Sequence, residues 1–371
     1  MEDWIFISVF HNLSILERIE SKYAVIVPKD DPLTQTIRDR SLAFAQFVDN
    51  FRDQFGREID PSLLFLHSRV KPDVEAIISF RNLLAVSSIV QSWERFLCHG
   101  TQLDYFKFSN YFELYPYSLS RDEKDLIVNT PSVMGIDEAS EFQGQCSPEI
   151  ARSHSTKKFY DLTLFEALCQ HWVDHYVKRK RGEWKNRSLF RSLEMAFRAS
   201  GLPFRNQGTI HDYGANIALW ISAFEILNHP GGSNYVSLST VLDFLGEIVF
   251  KTKKLNHRHY NGRKTERLNL LQRTYFEMHI ARNQFLHGNP VNQSSLFPGR
   301  ITKCNPLIVV APVMYKCAIY HFLGLLEYDK SNITEIAQNF IRRRDLETAI
   351  SKFRDARRNY KRKKKNPNQA T

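Results

Sequence analysis

The hydrophobic positions of this chain change period along its length. Trp4 to Phe10 and Tyr23 to Val27 are short apolar runs rich in β-branched and aromatic side chains, separated by a polar stretch with Asn12 and Ser14. They predict two strands. Pro28-Lys-Asp-Asp-Pro32 predicts a turn. From Thr34 to Gln54 the spacing is helical, with Leu42, Phe44, Phe47, Val48 and Phe51 on one broad face. Asp60-Pro61-Ser62 then reads as the start of a short helix to about His67. Lys71-Pro72-Asp73 opens a long helix to about Cys98, because proline just inside a helix start is favourable. Residues 104–117 are aromatic and partly alternating, so extended structure is expected, with the rings packing on helices rather than stacking bases. Residues 118–157 mix short apolar pieces with Pro, Gly, Ser and Asn, which reads as an irregular connection ending near a domain boundary.

Beyond it the period is helical almost throughout. Helices are expected at about Asp161–Arg179, Trp184–Ala199, 213–228, Ser237–Phe250, Thr265–His287, Leu307–Tyr328 and 333–360. The 213–228 segment is the most apolar, with Ile217, Trp220, Ile221, Phe224 and Leu227 at helical spacing. It is too short to cross a bilayer. A carboxylate in such a helix is costly unless paired, and Arg282 is the expected partner of its Glu225. Leu307–Tyr328 is interrupted by Pro312, Lys316 and His321, so a buried helix is expected there and no membrane span. The expected fold is mainly α: an N-terminal α+β region over 1–155, a helical bundle over 156–345, and a basic helical extension and tail over 346–371.

With 371 residues, 43% hydrophobic and 13% aromatic, the chain can bury a proper core. Its five cysteines are scattered, odd in number and without a C-x-x-C pair, which points to a reducing compartment and away from a zinc module. The acidic start at Glu2 and Asp3 lacks a secretory pattern, so a cytoplasmic location is expected. The net charge of +11 is segregated. Residues 342–365 hold twelve Lys/Arg against three Asp/Glu, or +9. A second island, 251–273, holds eight basic residues against Glu266. Lys251, Lys253, Lys254, Arg258, Arg263 and Lys264 are its expected RNA-binding residues, since segregated positive charge suits phosphate tracking. A third island at 178–187 reads as a solvated helix face.

That second island leads to the most distinctive stretch, Ala281-Arg282-Asn283-Gln284-Phe285-Leu286-His287-Gly288-Asn289-Pro290. Gly288 and Pro290 are a helix stop. Asn283 and His287 then lie about 40° apart around the helix axis. Arg supplies a fixed fork matching phosphate, His moves protons near neutral pH, and Asn can hold either. The trio suits metal-free cleavage of an RNA phosphodiester by the ribose 2′-hydroxyl. A salt-bridged Arg282 and a helix-end His287 favoured by the dipole form the plainer alternative. Arg81-Asn82 echoes the motif without a following His. His171 and His175 share a helix face but lack the H-E-x-x-H arrangement. Gly231-Gly232 lacks the Lys of a phosphate loop. No metal or cofactor is expected.

Arg282-Asn283-x-x-x-His287 resembles the signature of the HEPN superfamily of helical ribonucleases, and the following Gly288 is similar to its ApeA-like branch. Trp220-Ile-Ser-Ala-Phe-Glu225-Ile-Leu resembles the helix that precedes the motif helix in that branch. The resemblance covers roughly residues 155–330 and implies a HEPN-like helical bundle that forms a homodimer, with two motif copies facing one RNA cleft. It implies metal-independent endoribonuclease activity, often in phage defence or toxin systems, with an antitoxin or regulatory partner in some cases. Arg282 and His287 match the catalytic pair, Asn283 the polar neighbour, and Glu225 the acidic residue that orients the arginine. The rival expectations are a non-catalytic RNA-binding regulator and a protein-interaction module.

Overall fold

Leu63-Leu64-Phe65-Leu66 is apolar at every position and buried on both faces, which suits a central strand better than a half-exposed helix. The computed structural model describes residues 3–53, 55–99, 105–120, 122, 124–129, 133–143, 151–152, 159–178, 184–201, 209–232, 235–250, 259–260, 267–300, 302, 305–325, 350–352, 354–355 and 358. The short helix expected up to His67 is strand β5 (Ser62–His67). It lies between β1 (Trp4–Phe10) and β4 (Ala24–Val27), and a short β3 (Ile19–Glu20) borders β4. All these pairings are antiparallel. β2 (Leu13–Ser14) pairs elsewhere, in parallel with residues 151–152.

The single helix expected over 34–54 is two, α1 (Pro32–Arg38) and α2 (Leu42–Asp49). Local caps make the break. The Asp31 carboxylate accepts from the Leu33 amide at 2.8 Å. Three residues after α1 ends, the Ser41 hydroxyl accepts from the Phe44 amide at 3.2 Å and restarts the helix. Leu33, Ile37, Phe44, Phe47 and Val48 bury against Val9, Val25, Val27 and Phe65 of the sheet. Residues 105–112 form 3₁₀ turns, Tyr105–Lys107 and Ser109–Phe112, where extended structure was expected. Part of the connection expected to be irregular is ordered: β6 (Tyr117–Leu119), β7 (Asp125–Asn129) and β8 (Met134–Glu138) form an antiparallel sheet. Leu126 and Val128 face inward, while the cross-strand pair Ile127 and Ile136 is exposed.

The long helix comes as expected, α3 (Val74–His99), capped where the Asp73 carboxylate accepts from the Ala76 amide at 2.7 Å. Val74–Cys98 is long and apolar enough to cross a bilayer, but 67% of its most apolar window is buried inside the protein, as in a core helix. α4 (Leu162–Trp172) runs into a π-helical turn, Val173–Val177. The Trp172 indole donates to the Ala76 carbonyl at 2.9 Å and packs edge-on to Phe80. The chain divides into two compact units, Met1–Ala85 with Phe108–Arg181, and Val86–Lys107 with Gly182–Thr371. The division passes through α3 and groups α4 with the N-terminal unit, whereas the sequence reading places the boundary near residue 155.

In the second unit α5 (Trp184–Gly201), α6 (Ile210–Leu227), α7 (Leu238–Glu247), α8 (Leu270–Leu286) and α9 (Leu307–Phe322) make the bundle. Its centre is aromatic: the Phe224 ring lies 5.3 Å from Tyr275 and 5.6 Å from Tyr315, with Trp220 5.5 Å from Tyr315. The Ser192 hydroxyl meets the Tyr315 hydroxyl at 2.6 Å and donates to the Ala223 carbonyl, which satisfies these buried polar groups. Lys316, fully buried, pairs with Glu94 and donates to Gln91 at 2.8 Å. Removing one partner of such a pair would leave an uncompensated buried charge. The charged helix expected over 333–360 lies mostly outside the described residues; 350–352 and 354–355 are helical. The chain is thus mainly helical with an α+β N-terminal region.

Candidate active site at the end of helix α8

α8 starts five residues later than its apolar period suggests, because Asn269 caps it. The Asn269 Oδ1 accepts from the Gln272 backbone amide at 2.9 Å, and the Gln272 Oε1 accepts from the Asn269 backbone amide at 2.8 Å. The same two side chains donate to the Leu245 and Leu242 carbonyls at the end of α7, tying the helix start to its neighbour. Leu271, Tyr275, Met278 and Ala281 form the buried stripe. At the far end Gly288 has φ +66°. The His287 amide donates to the Asn283 carbonyl, and the Asn289 amide to the Gln284 carbonyl, each at 3.0 Å. This is a Schellman stop, and the positive φ is what the glycine supplies.

α6 packs along α8. A capping box of Thr209 and Asp212 begins it. A Cβ built on Gly214 would fall inside the Phe285 ring, so this close approach requires glycine. Ten residues on, Phe224 meets Tyr275. The two helices therefore run antiparallel, and Glu225 reaches Arg282. Arg282 Nη1 donates to Glu225 Oε1 at 2.8 Å, and each side chain is 26% exposed. Both sequence-expected partners are thus brought together at the rim of the bundle, accessible rather than sealed.

The electrostatics of this corner are set by burial. Desolvation pushes the Glu225 carboxyl above its ordinary range, while the Arg282 charge and hydrogen bond pull it back. Tyr275 is fully buried, and its hydroxyl has no hydrogen-bond partner among the described residues. Burial first, and then the Glu225 charge, push that phenol up. Asn283 is half-buried, and its Nδ2 lies 3.3 Å from Nδ1 of His279. Burial and then the Arg282 charge hold His279 below the ordinary imidazole range. His287 is exposed at the helix cap.

The arrangement offers a guanidinium oriented by a carboxylate, an amide and an imidazole at the helix end, with a second imidazole two turns back along the same helix. Sequence reasoning picked Glu225, Arg282, Asn283 and His287 but passed over His279 and Tyr275. The signal for His279 was its place four residues before Asn283, within reach on a helix. Lys251, Lys253, Lys254, Arg258, Arg263 and Lys264 lie outside the described residues. Among the described residues no three His, Cys, Asp or Glu side chains gather in a metal-binding cluster. His171 is half-buried and His175 buried in the π-helical turn. Arg81 bonds to the Asn82 side chain beside it. No protein-family model, curated protein or solved structure matches this chain.

Proposed function

We propose that this protein is a metal-independent endoribonuclease of HEPN type, acting as a homodimer on RNA. The observation that carries the reading is the Glu225–Arg282 pair at an accessible helix end that also bears Asn283 and His287. A guanidinium has five N–H donors in a rigid fork. With Glu225 holding Nη1, the rest of the fork is left to meet a phosphate oxygen. Arg282 stabilises the charge that gathers on the nonbridging oxygens as the 2′-hydroxyl attacks phosphorus. His287 moves the proton this step requires, and Asn283 holds the substrate or an imidazole in place.

The test compares product formation with binding on single-stranded RNA in the full chain. Arg282→Ala and His287→Ala should each lower cleavage by about 100-fold or more, the scale of one proton-transfer or charge-stabilising group. Salt-sensitive RNA binding should survive both changes. Binding without turnover by the wild-type chain would instead identify an RNA-binding regulator. Neither binding nor turnover would leave only the interaction-module reading.

A further inference from the structure

α8 carries a second imidazole that the reaction as written leaves unused. His279, Asn283 and His287 recur every four residues, so they form one stripe, each about 40° from the next. Arg282 lies beside Asn283 at the middle of it. His279 is half-buried with its ring nitrogen 3.3 Å from the Asn283 amide, and His287 is exposed at the cap. The order along the helix is imidazole, then guanidinium with amide, then imidazole. Displacement at phosphorus asks for that order. The attacking and leaving oxygens lie roughly in line on opposite sides, and the charged oxygens lie between them. About 12 Å of axial rise separates the two histidine Cα positions, room for one phosphodiester with a ring on either side.

Resting on the ribonuclease reading, we propose that His279 takes the proton from the ribose 2′-hydroxyl while His287 gives one to the departing 5′-oxygen. The 2′-oxygen–phosphorus bond forms and the phosphorus–5′-oxygen bond breaks. The 2′ proton ends on His279, and the proton from His287 ends on the 5′-hydroxyl. The products are a 2′,3′-cyclic phosphate and a 5′-hydroxyl end, with no change of oxidation state. The surroundings favour these roles. The charged groups around His279 are Arg282 on its own helix and, held on Arg282, Glu225 of α6. The Asn283 Nδ2, 3.3 Å from the ring's Nδ1, holds the imidazole in orientation.

The experiment uses two short uridine oligomers, one ordinary and one whose 5′-bridging oxygen is sulfur. A thiolate departs without a proton, so the sulfur substrate rescues loss of the acid and not loss of the base. His279→Ala should lose about 100-fold or more on both substrates, the scale of a general base. His287→Ala should lose a similar factor on the oxygen substrate and recover to within about tenfold of wild type on sulfur. Wild-type rates for His279→Ala on both, or its rescue by sulfur, would overturn the assignment while leaving the ribonuclease reading intact. A wild-type chain that cleaves neither oligomer would overturn both. As a check independent of turnover and of folding in the variant, an all-2′-deoxy oligomer should shift the His279 imidazole resonances of the wild-type protein. An unmoved resonance under saturating oligomer would count against the inference.

Discussion

Arg282→Met isolates the pair on which the site is built. The mutation keeps the stem and deletes the charge, leaving the Glu225 carboxylate three-quarters buried with no cation. A charge-assisted hydrogen bond contributes about 1.5–3 kcal/mol when buried, and an exposed pair about 0.2–1 kcal/mol. With one bond at 2.8 Å and each partner 26% exposed, a coupling of about 1–2 kcal/mol is expected between these limits. Double-mutant cycles with Glu225→Gln measure it. Because the chain divides into two compact units, a global melt need not be two-state, and the readout should be native-state hydrogen exchange of α6 and α8 amides.

The pH dependence supplies a second signature. Burial raises the folded pKa of Glu225 above its unfolded value, with Arg282 opposing. For a carboxyl shifted upward, stability is fully present below the unfolded pKa and is lost as pH rises through the folded pKa. Arg282→Met removes the opposing influence, so its cost should be largest where the carboxyl is fully ionised and shrink on acidification as it takes up a proton. A coupling below about 0.3 kcal/mol, or a cost that grows on acidification, would refute the pairing as an organising contact.

Gly214→Ala should destabilise the second unit by a net of about 1–2 kcal/mol, because its Cβ would collide with the Phe285 ring at an overpacking cost of about 1–3 kcal/mol, offset by the roughly 1 kcal/mol that alanine gains in a helix. Phe285→Leu should restore part of the loss, as thermal melts of the double variant would show. In the N-terminal unit burial depresses the His11 pKa to about 4, and the buried Nδ1 has no hydrogen-bond partner among the described residues. The neutral ring is the folded form, so its contribution is full above about pH 6.5 and falls as the unfolded chain takes up a proton between there and about pH 4. That amounts to at most about 3 kcal/mol. His11→Phe keeps the edge contact to Tyr115 and should flatten this limb of the stability-against-pH curve.

What the sequence made legible follows from how local each cause is. The stop at Gly288, the helices α5 to α9 and the pairing of Glu225 with Arg282 all rest on short-range patterns: a glycine past a helix end, a period of 3.6, a lone carboxylate among apolar neighbours. β5 was misread because four consecutive apolar residues carry no period, and only the flanking strands β1 and β4 decide that they are extended. The break between α1 and α2 hung on Ser41, an ordinary residue until its hydroxyl caps Phe44. β6 to β8 alternate over five residues or fewer, too short a run to stand out from a loop. His279 escaped notice although its nearness to Arg282 and Asn283 is a local i,i+3 and i,i+4 relation; only its half-burial waits on the packing around α8.

The account turns on whether the end of α8 does chemistry on RNA. The most direct measurement is end-group analysis of a short single-stranded RNA incubated with the wild-type chain in excess chelator. A 2′,3′-cyclic phosphate and a 5′-hydroxyl end, lost in His287→Ala and absent when the 2′-hydroxyl at the cleavage position is removed, are the predicted result. Intact RNA, or cleavage that continues past a 2′-deoxy position, would contradict it.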